Sequence, residues 1–205
     1  RRGRCCGGEA FVLVERCRLH PCHYRWQQGG DRSAFDGRVD YARLVERRAL
    51  LDAFVGALGA RSPESDPAAF PTEDDRLAYW LNAYNAFTLH AVLAEYPITS
   101  VWKTRDGQFF QRRRHGAGGR AVSLDDIEHE ILRGRFAEPR IHFAINCGSN
   151  GCPPMRPAAY EGAGLRETLR AATEQFLGSE WNCRVDHTAR RVFISRIFKM
   201  YAEDF

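Results

Sequence analysis

Two cysteines, Cys147 and Cys152, stand five positions apart at the end of "RIHFAINCGSNGCPP". Thiols at that spacing fit four kinds of chemistry: a nucleophile, a disulfide or redox pair, a metal site, or simple apolar packing. The nucleophile reading rests on the residues around Cys147. Gly148 and Gly151 bracket Ser149 and Asn150, and such residues permit positive φ and turn backbone N–H groups into a cavity, where they can receive an oxyanion. Catalysis also needs a base, because a free thiol with a pKa of about 8.5 is only slightly ionised near neutrality. His129 is the preferred base, with Glu128 or Asn85 orienting it, and the amides near Gly148 and Ser149 form the oxyanion site.

The other readings stay open. The usual redox spacing is C-x-x-C, which Cys147 and Cys152 do not have. Zinc could draw on both cysteines with His129 or His142, but a single pair without C-x2-C spacing is a weak metal signal, and no metal or cofactor is assigned. A second cluster, Cys17, His20, Cys22 and His23 in "CRLHPCH", crowds four ligands into seven residues in a spacing foreign to common zinc sites.

The elements that would position these groups can be read from periodicity. "VDYARLVERRALLDAFVGALGA" spaces Leu44, Leu50, Leu51, Phe54 and Leu58 as a helix stopping near Gly59. "DDRLAYWLNAYNAFTLHAVLAEYP" places Leu77, Trp80, Leu81, Tyr84, Thr88 and Val92 on one stripe, ended by Pro97; this is the expected central buried helix. Asn82 and Asn85 share a flank of it. Buried asparagines need partners for both ends of the amide, so they serve either as ties to neighbouring backbone or as orienting groups. "QFFQRRRHGAGGRAVSL" reads as two strands around a glycine turn, with the run Arg112 to His115 at its tip. Ser123 then caps a helix, "LDDIEHEILRGRF", whose buried side is Leu124, Ile127, Ile131 and Leu132, flanked by Glu128 and His129. "RIHFAIN" reads as a strand, which would turn His142 away from Cys147.

Composition sets the limits. With 205 residues, 44% of them hydrophobic, the chain suits one domain. The net charge is +4, yet only Lys103 and Lys199 are lysines among 30 basic residues, and no basic stripe interleaved with aromatics points to nucleic acid. No apolar run approaches the roughly 18 residues of a membrane span. "AFVLV" is too short for a secretory signal core, and no compartment is assigned. Residues 1–35, rich in Arg, Cys and His, read as a leader outside the fold, with the domain over 36–205. Seven cysteines, an odd number, leave at least one thiol free.

The motifs "AYWLNAYNAFTLHAVL", "SLDDIEHEILR" and "PRIHFAINCGSNGCPP", with "VDY" before and "FISRIFKMYAEDF" after, resemble the family called domain of unknown function 547. The resemblance covers about residues 36–205. It implies that the recurring polar positions are Asn82, Asn85, Glu128, His129, Cys147, Gly148 and Ser149. Plant members carry serine in place of the second cysteine and lack a histidine matching His142, which raises Cys147 with His129 over an obligatory Cys147–Cys152 pair. Bacterial relatives are often exported and plant members carry a leucine zipper. The resemblance also implies a further helix beyond Phe205.

The expectation is therefore an α+β single domain, a mixed or antiparallel sheet packed with helices, carrying a cysteine hydrolase or acyltransferase site for a small-molecule or peptide substrate. Its rival is a non-catalytic binding or scaffold module in which the same Asn, Glu, His and Cys side chains form a structural hydrogen-bond network. Access separates them, since a catalytic Cys147 must open to a pocket.

Overall fold

The computed structural model describes residues 39–149 and 151–205; the leader and the "CRLHPCH" cluster lie outside them. The architecture is α+β, dominated by helices with two small antiparallel hairpins. Its axis is a 23-residue helix, α3 (Glu73–Glu95), of which fourteen side chains are buried. A helix buried on so many sides must be central, wrapped by other elements. Thr72 starts it with a capping box, its hydroxyl accepting from the Asp75 amide while the Asp75 carboxylate accepts from the Thr72 amide. All six residues of the expected stripe are buried.

Four groups of elements cover this axis. The helices α1 (Tyr41–Glu46) and α2 (Arg48–Ala60), broken at Arg47 where the sequence suggested one helix, pack along one side. The hairpin β1 (His115–Ala117) and β2 (Arg120–Val122) docks on the end of α2. There Gly118 (φ 55°) donates to the Leu58 carbonyl at 3.2 Å, and a Cβ on it would meet Ser62 Oγ at 2.3 Å, so only glycine fits. The third cover is α5 (Asp126–Arg133), a π-helical segment packed on α3. The last is α6 (Leu165–Leu177), lying against both α3 and a 3-10 turn at Pro139–Phe143. A second hairpin, β3 (Cys183–Asp186) with β4 (Arg191–Ile194), leads to α7 (Ile197–Met200) and a final 3-10 turn, Ala202–Asp204.

Two local expectations are corrected. "RIHFAIN" is not a strand: Pro139 opens a 3-10 turn, the Glu138 carboxylate accepts from the Arg140 amide, and Ile141, His142 and Phe143 are all buried. A short apolar run enclosed on all sides carries no periodicity to tell strand from helix, so alternation gives no orientation for His142. The first strand proposed from "QFFQRRRH" is likewise a short helix, α4 (Phe109–Arg112). The hairpin keeps three residues per strand, and its tip is Gly118–Gly119 rather than the arginine run.

Candidate functional site

Three polar or open regions gather around α3. The first is the cysteine loop. Asn85, buried on α3, donates through Nδ2 to the Ala144 carbonyl at 3.0 Å and accepts from the Asn146 amide through Oδ1 at 2.8 Å. Both ends of the amide are thus spent on holding the chain at the point where it enters the loop. Asn146 repeats the pattern within the loop, accepting from the Gly148 amide at 2.8 Å and donating to the Pro153 carbonyl at 2.7 Å. Gly148 takes φ 80°, and a Cβ on it would come within 3.2 Å of Val101 Cγ1, again a place for glycine alone. Cys147 and Cys152 are joined by a disulfide. The Cys147 amide donates to Cys152 Sγ at 3.2 Å, and Ser149 Oγ lies 3.3 Å from each sulfur. Cys147 is half-buried, packed against the core.

The second region is a knot of side chains between α3, α5 and the C-terminal turn. Glu128 is buried and accepts from Tyr84 Oη at 2.7 Å and from Tyr201 Oη at 2.5 Å. Burial first, and then the Glu128 charge, push both tyrosines above the usual phenol range, so both remain donors. Beside it His142, 2% exposed, stacks on Tyr201 at 3.9 Å and holds Asp204 Oδ2 through Nε2 at 2.6 Å. Burial lowers the His142 pKa although Asp204 opposes the shift. The neutral ring with its proton on Nε2, donating to Asp204, fits that balance. Arg133 closes the knot with two bonds to Asp204 at 2.5 and 2.9 Å. The Arg133 guanidinium holds the Asp204 carboxyl down at about 2.

His129 lies at the edge of this knot. Its side chain is 43% exposed, with Nδ1 2.9 Å from Arg133 and Nε2 3.8 Å from Asp125. No hydrogen bond joins it to Cys147, and Glu128, which was expected to orient it, turns inward to the two tyrosines. As successive residues of a helix the neighbours point to different faces, Glu128 to the core and His129 to water. Nor does Asn85 reach His129, since both ends of its amide hold the loop. The Gly148 amide, expected to receive an oxyanion, is already given to Asn146.

The third region is a cavity of about 140 Å³ between α1, α2, α3 and the segment that follows the cysteine loop. Leu51, Phe54, Leu89 and Met155 make most of its wall apolar. Asn82 and Asn85 form its polar side. Asn82 holds Tyr160 at both backbone ends, donating to its carbonyl and accepting from its amide, each at 2.8 Å. The Tyr160 hydroxyl then reaches back to the Ala144 carbonyl at 3.1 Å. Two arginines border the cavity: Arg47, at the α1–α2 break, and Arg156, whose guanidinium lies 4.9 Å from the centre of the Tyr160 ring.

Sequence reasoning picked the residues on α3 and α5 but missed their partners. Tyr84 was placed only as a core residue, while Tyr201, Asp204 and Tyr160 lie 60 to 80 positions from the groups they bind. Among the described residues no group of three or more His, Cys, Asp and Glu side chains is placed to hold a metal ion, and no helix is long and apolar enough to cross a membrane. A family model described as "Protein of unknown function, DUF547" matches residues 68–177, a span that includes α3, α5 and the cysteine loop. No curated protein and no solved structure matches the chain.

Proposed function

The chain belongs to the DUF547 family, and on that premise we propose that it is a non-catalytic binding domain in which Asn82 and Asn85 shape the wall of a ligand cavity. One observation carries this reading: Asn82 and Asn85 spend both ends of their amides on the backbone of residues 144–160, and both border the cavity. The segment they hold supplies Met155, Arg156 and Tyr160 to that cavity. An Asn fixed at both ends is a strut, and a strut on a cavity wall sets the cavity's shape. Glu128, away from the cavity, is likewise occupied, as the acceptor of two tyrosine hydroxyls.

The competing reading makes Cys147 a nucleophile for hydrolysis or acyl transfer, with His129 as base. It requires that the Cys147–Cys152 disulfide first be reduced, and that His129 leave Arg133 and Asp125 for the sulfur. The pH dependence of alkylation at Cys147, measured on the reduced full chain by peptide mass mapping in the parent and in His129→Ala, separates the two. The binding reading expects an ordinary thiol titration that His129→Ala leaves in place. A Cys147 pKa well below about 8.5 that rises on removal of His129 would overturn it in favour of the thiol enzyme.

A further inference from the structure

The cysteine loop is held by more than its disulfide. A disulfide stabilises a fold more when it closes a longer loop, and Cys147 and Cys152 are only five positions apart. Hydrogen bonds close the same loop without the sulfurs. Asn146 Nδ2 donates to the Pro153 carbonyl at 2.7 Å, the Cys152 amide donates to the Ser149 carbonyl at 3.1 Å, and the Asn146 amide is tied to Asn85 on α3. With the S–S bond open, the two thiols would still be held beside each other, placed to close again. Reagents can also approach, since Cys147, Ser149 and Cys152 are half-buried and Gly151 is exposed.

The two sulfurs are not equivalent. Cys152 Sγ accepts from the Cys147 amide at 3.2 Å. The Ser149 hydroxyl lies 3.3 Å from each sulfur and must be the donor to either, because a disulfide sulfur carries no proton. Charge on Cys152 thus has two donors, and charge on Cys147 only the hydroxyl they share. Hydrogen bonds strengthen when the acceptor is ionised, which makes Cys152 the better leaving sulfur.

From this we infer that Cys147 and Cys152 form a reversible dithiol–disulfide couple, opened by a small thiol that attacks Cys147 and expels Cys152. As the attacking sulfur bonds to Cys147 Sγ, the S–S bond breaks and its electron pair leaves on Cys152, held by the Cys147 amide and the Ser149 hydroxyl. A second small thiolate then attacks the first small-molecule sulfur, giving the small disulfide and releasing the Cys147 thiolate. Two electrons have passed to the protein, whose thiolates take up the two protons that the small thiols lost. The small disulfide, acting as oxidant, runs the sequence backwards. This exchange stands apart from the cavity and holds whether or not a ligand enters it.

The test treats the native full chain with millimolar reduced glutathione, quenches with acid and maps peptides by mass, so that the other cysteines are read separately. The pair should open with circular dichroism retained, an early quench should find glutathione on Cys147, and oxidised glutathione should restore the bond. Ser149→Ala should slow opening about threefold, as a leaving thiolate loses one of two donors, and Cys183→Ser should leave the rate unchanged. Structural disulfides resist the glutathione pool. A pair that opens only in denaturant, or whose opening unfolds the chain, is a staple and overturns the inference. Glutathione found on Cys152, or Ser149→Ala opening at the parent rate, overturns the assignment of Cys152 as the leaving sulfur.

Discussion

The two polar regions beside α3 are built on opposite plans. In the amide region, Asn82 and Asn85 reach from the helix to the backbone of another segment, and the space beside them stays open. In the knot, Glu128, His142, Asp204, Arg133 and two tyrosines pair side chain to side chain. An amide fixes a chain without carrying charge, so it can border an apolar cavity at little electrostatic cost. A buried carboxylate must be surrounded by donors, and surrounding it fills the space. The difference is one of architecture: the knot ties α3, α5 and the C-terminal turn together, and the amide region borders a cavity.

The knot should be the more costly region to break. Glu128→Ala leaves the Tyr84 and Tyr201 hydroxyls without their acceptor, and Tyr84 is fully buried. The expected loss is about 3–5 kcal/mol, measured by urea unfolding. Glu128→Gln, which keeps one carbonyl acceptor, should lose about half as much. A loss in Glu128→Ala below about 1 kcal/mol would mean that the knot is not a structural lock, and the comparison would collapse.

Asn85→Ala should cost less and act more locally. It removes two hydrogen bonds, but the Ala144 carbonyl keeps the Tyr160 hydroxyl, so chiefly the Asn146 amide is orphaned. About 2–3 kcal/mol is expected. Native-state hydrogen exchange supplies the sharper readout: protection should fall across residues 144–149, with α5 keeping its own. If α5 loosened to the same degree, the two regions would form one cooperative unit and the division drawn above would be wrong.

How much of this could be read in advance depended on whether a residue's partner was local. The stripe on α3 was legible because Leu77, Trp80, Leu81 and Tyr84 recur at helical spacing. So was the start of the next helix, where the Ser123 hydroxyl accepts from the Asp126 amide and the Asp126 carboxylate accepts from the Ser123 amide. Asn82 and Asn85 could be marked as groups needing partners, but the partners, Tyr160 and Ala144 to Asn146, depend on how the chain returns to α3. The strand reading behind His142 failed for a related reason. The His142 orientation was deduced from a strand alternation that a buried 3-10 turn does not have, and its partner Asp204 lies 62 residues on. The inward turn of Glu128 was settled by Tyr84 and by Tyr201, which lies 73 residues away, and "LDDIEHEILR" names neither.

A change of pH should disturb the knot and spare the amide region, because Asn82, Asn85 and the backbone they hold do not titrate. The sign follows from the shifts. Asp204 is depressed to about 2 from 3.8, so its contribution is complete above the unfolded value and disappears as pH falls from about 4 through about 2. Its side chain is 21% exposed, and solvent screening reduces the contribution to about 1 kcal/mol. His142 is also depressed, by burial. As pH falls below 6.5 the unfolded chain takes up a proton that the folded ring resists, and stability declines there as well. His115, stacked on Phe87 and lowered by burial to about 4, adds to that upper window. Glu95, Asp126, Glu138 and Glu167 are lowered as well, so the knot's share of the lower window is separated by substituting Asp204. Urea unfolding of the parent and Asp204→Asn between pH 4 and 2 should show the parent losing about 1 kcal/mol more. Equal slopes would mean that Asp204 contributes through the geometry of its bonds to Arg133 and His142 and not through its charge, and that the knot resembles the amide region more closely than its residue types suggest.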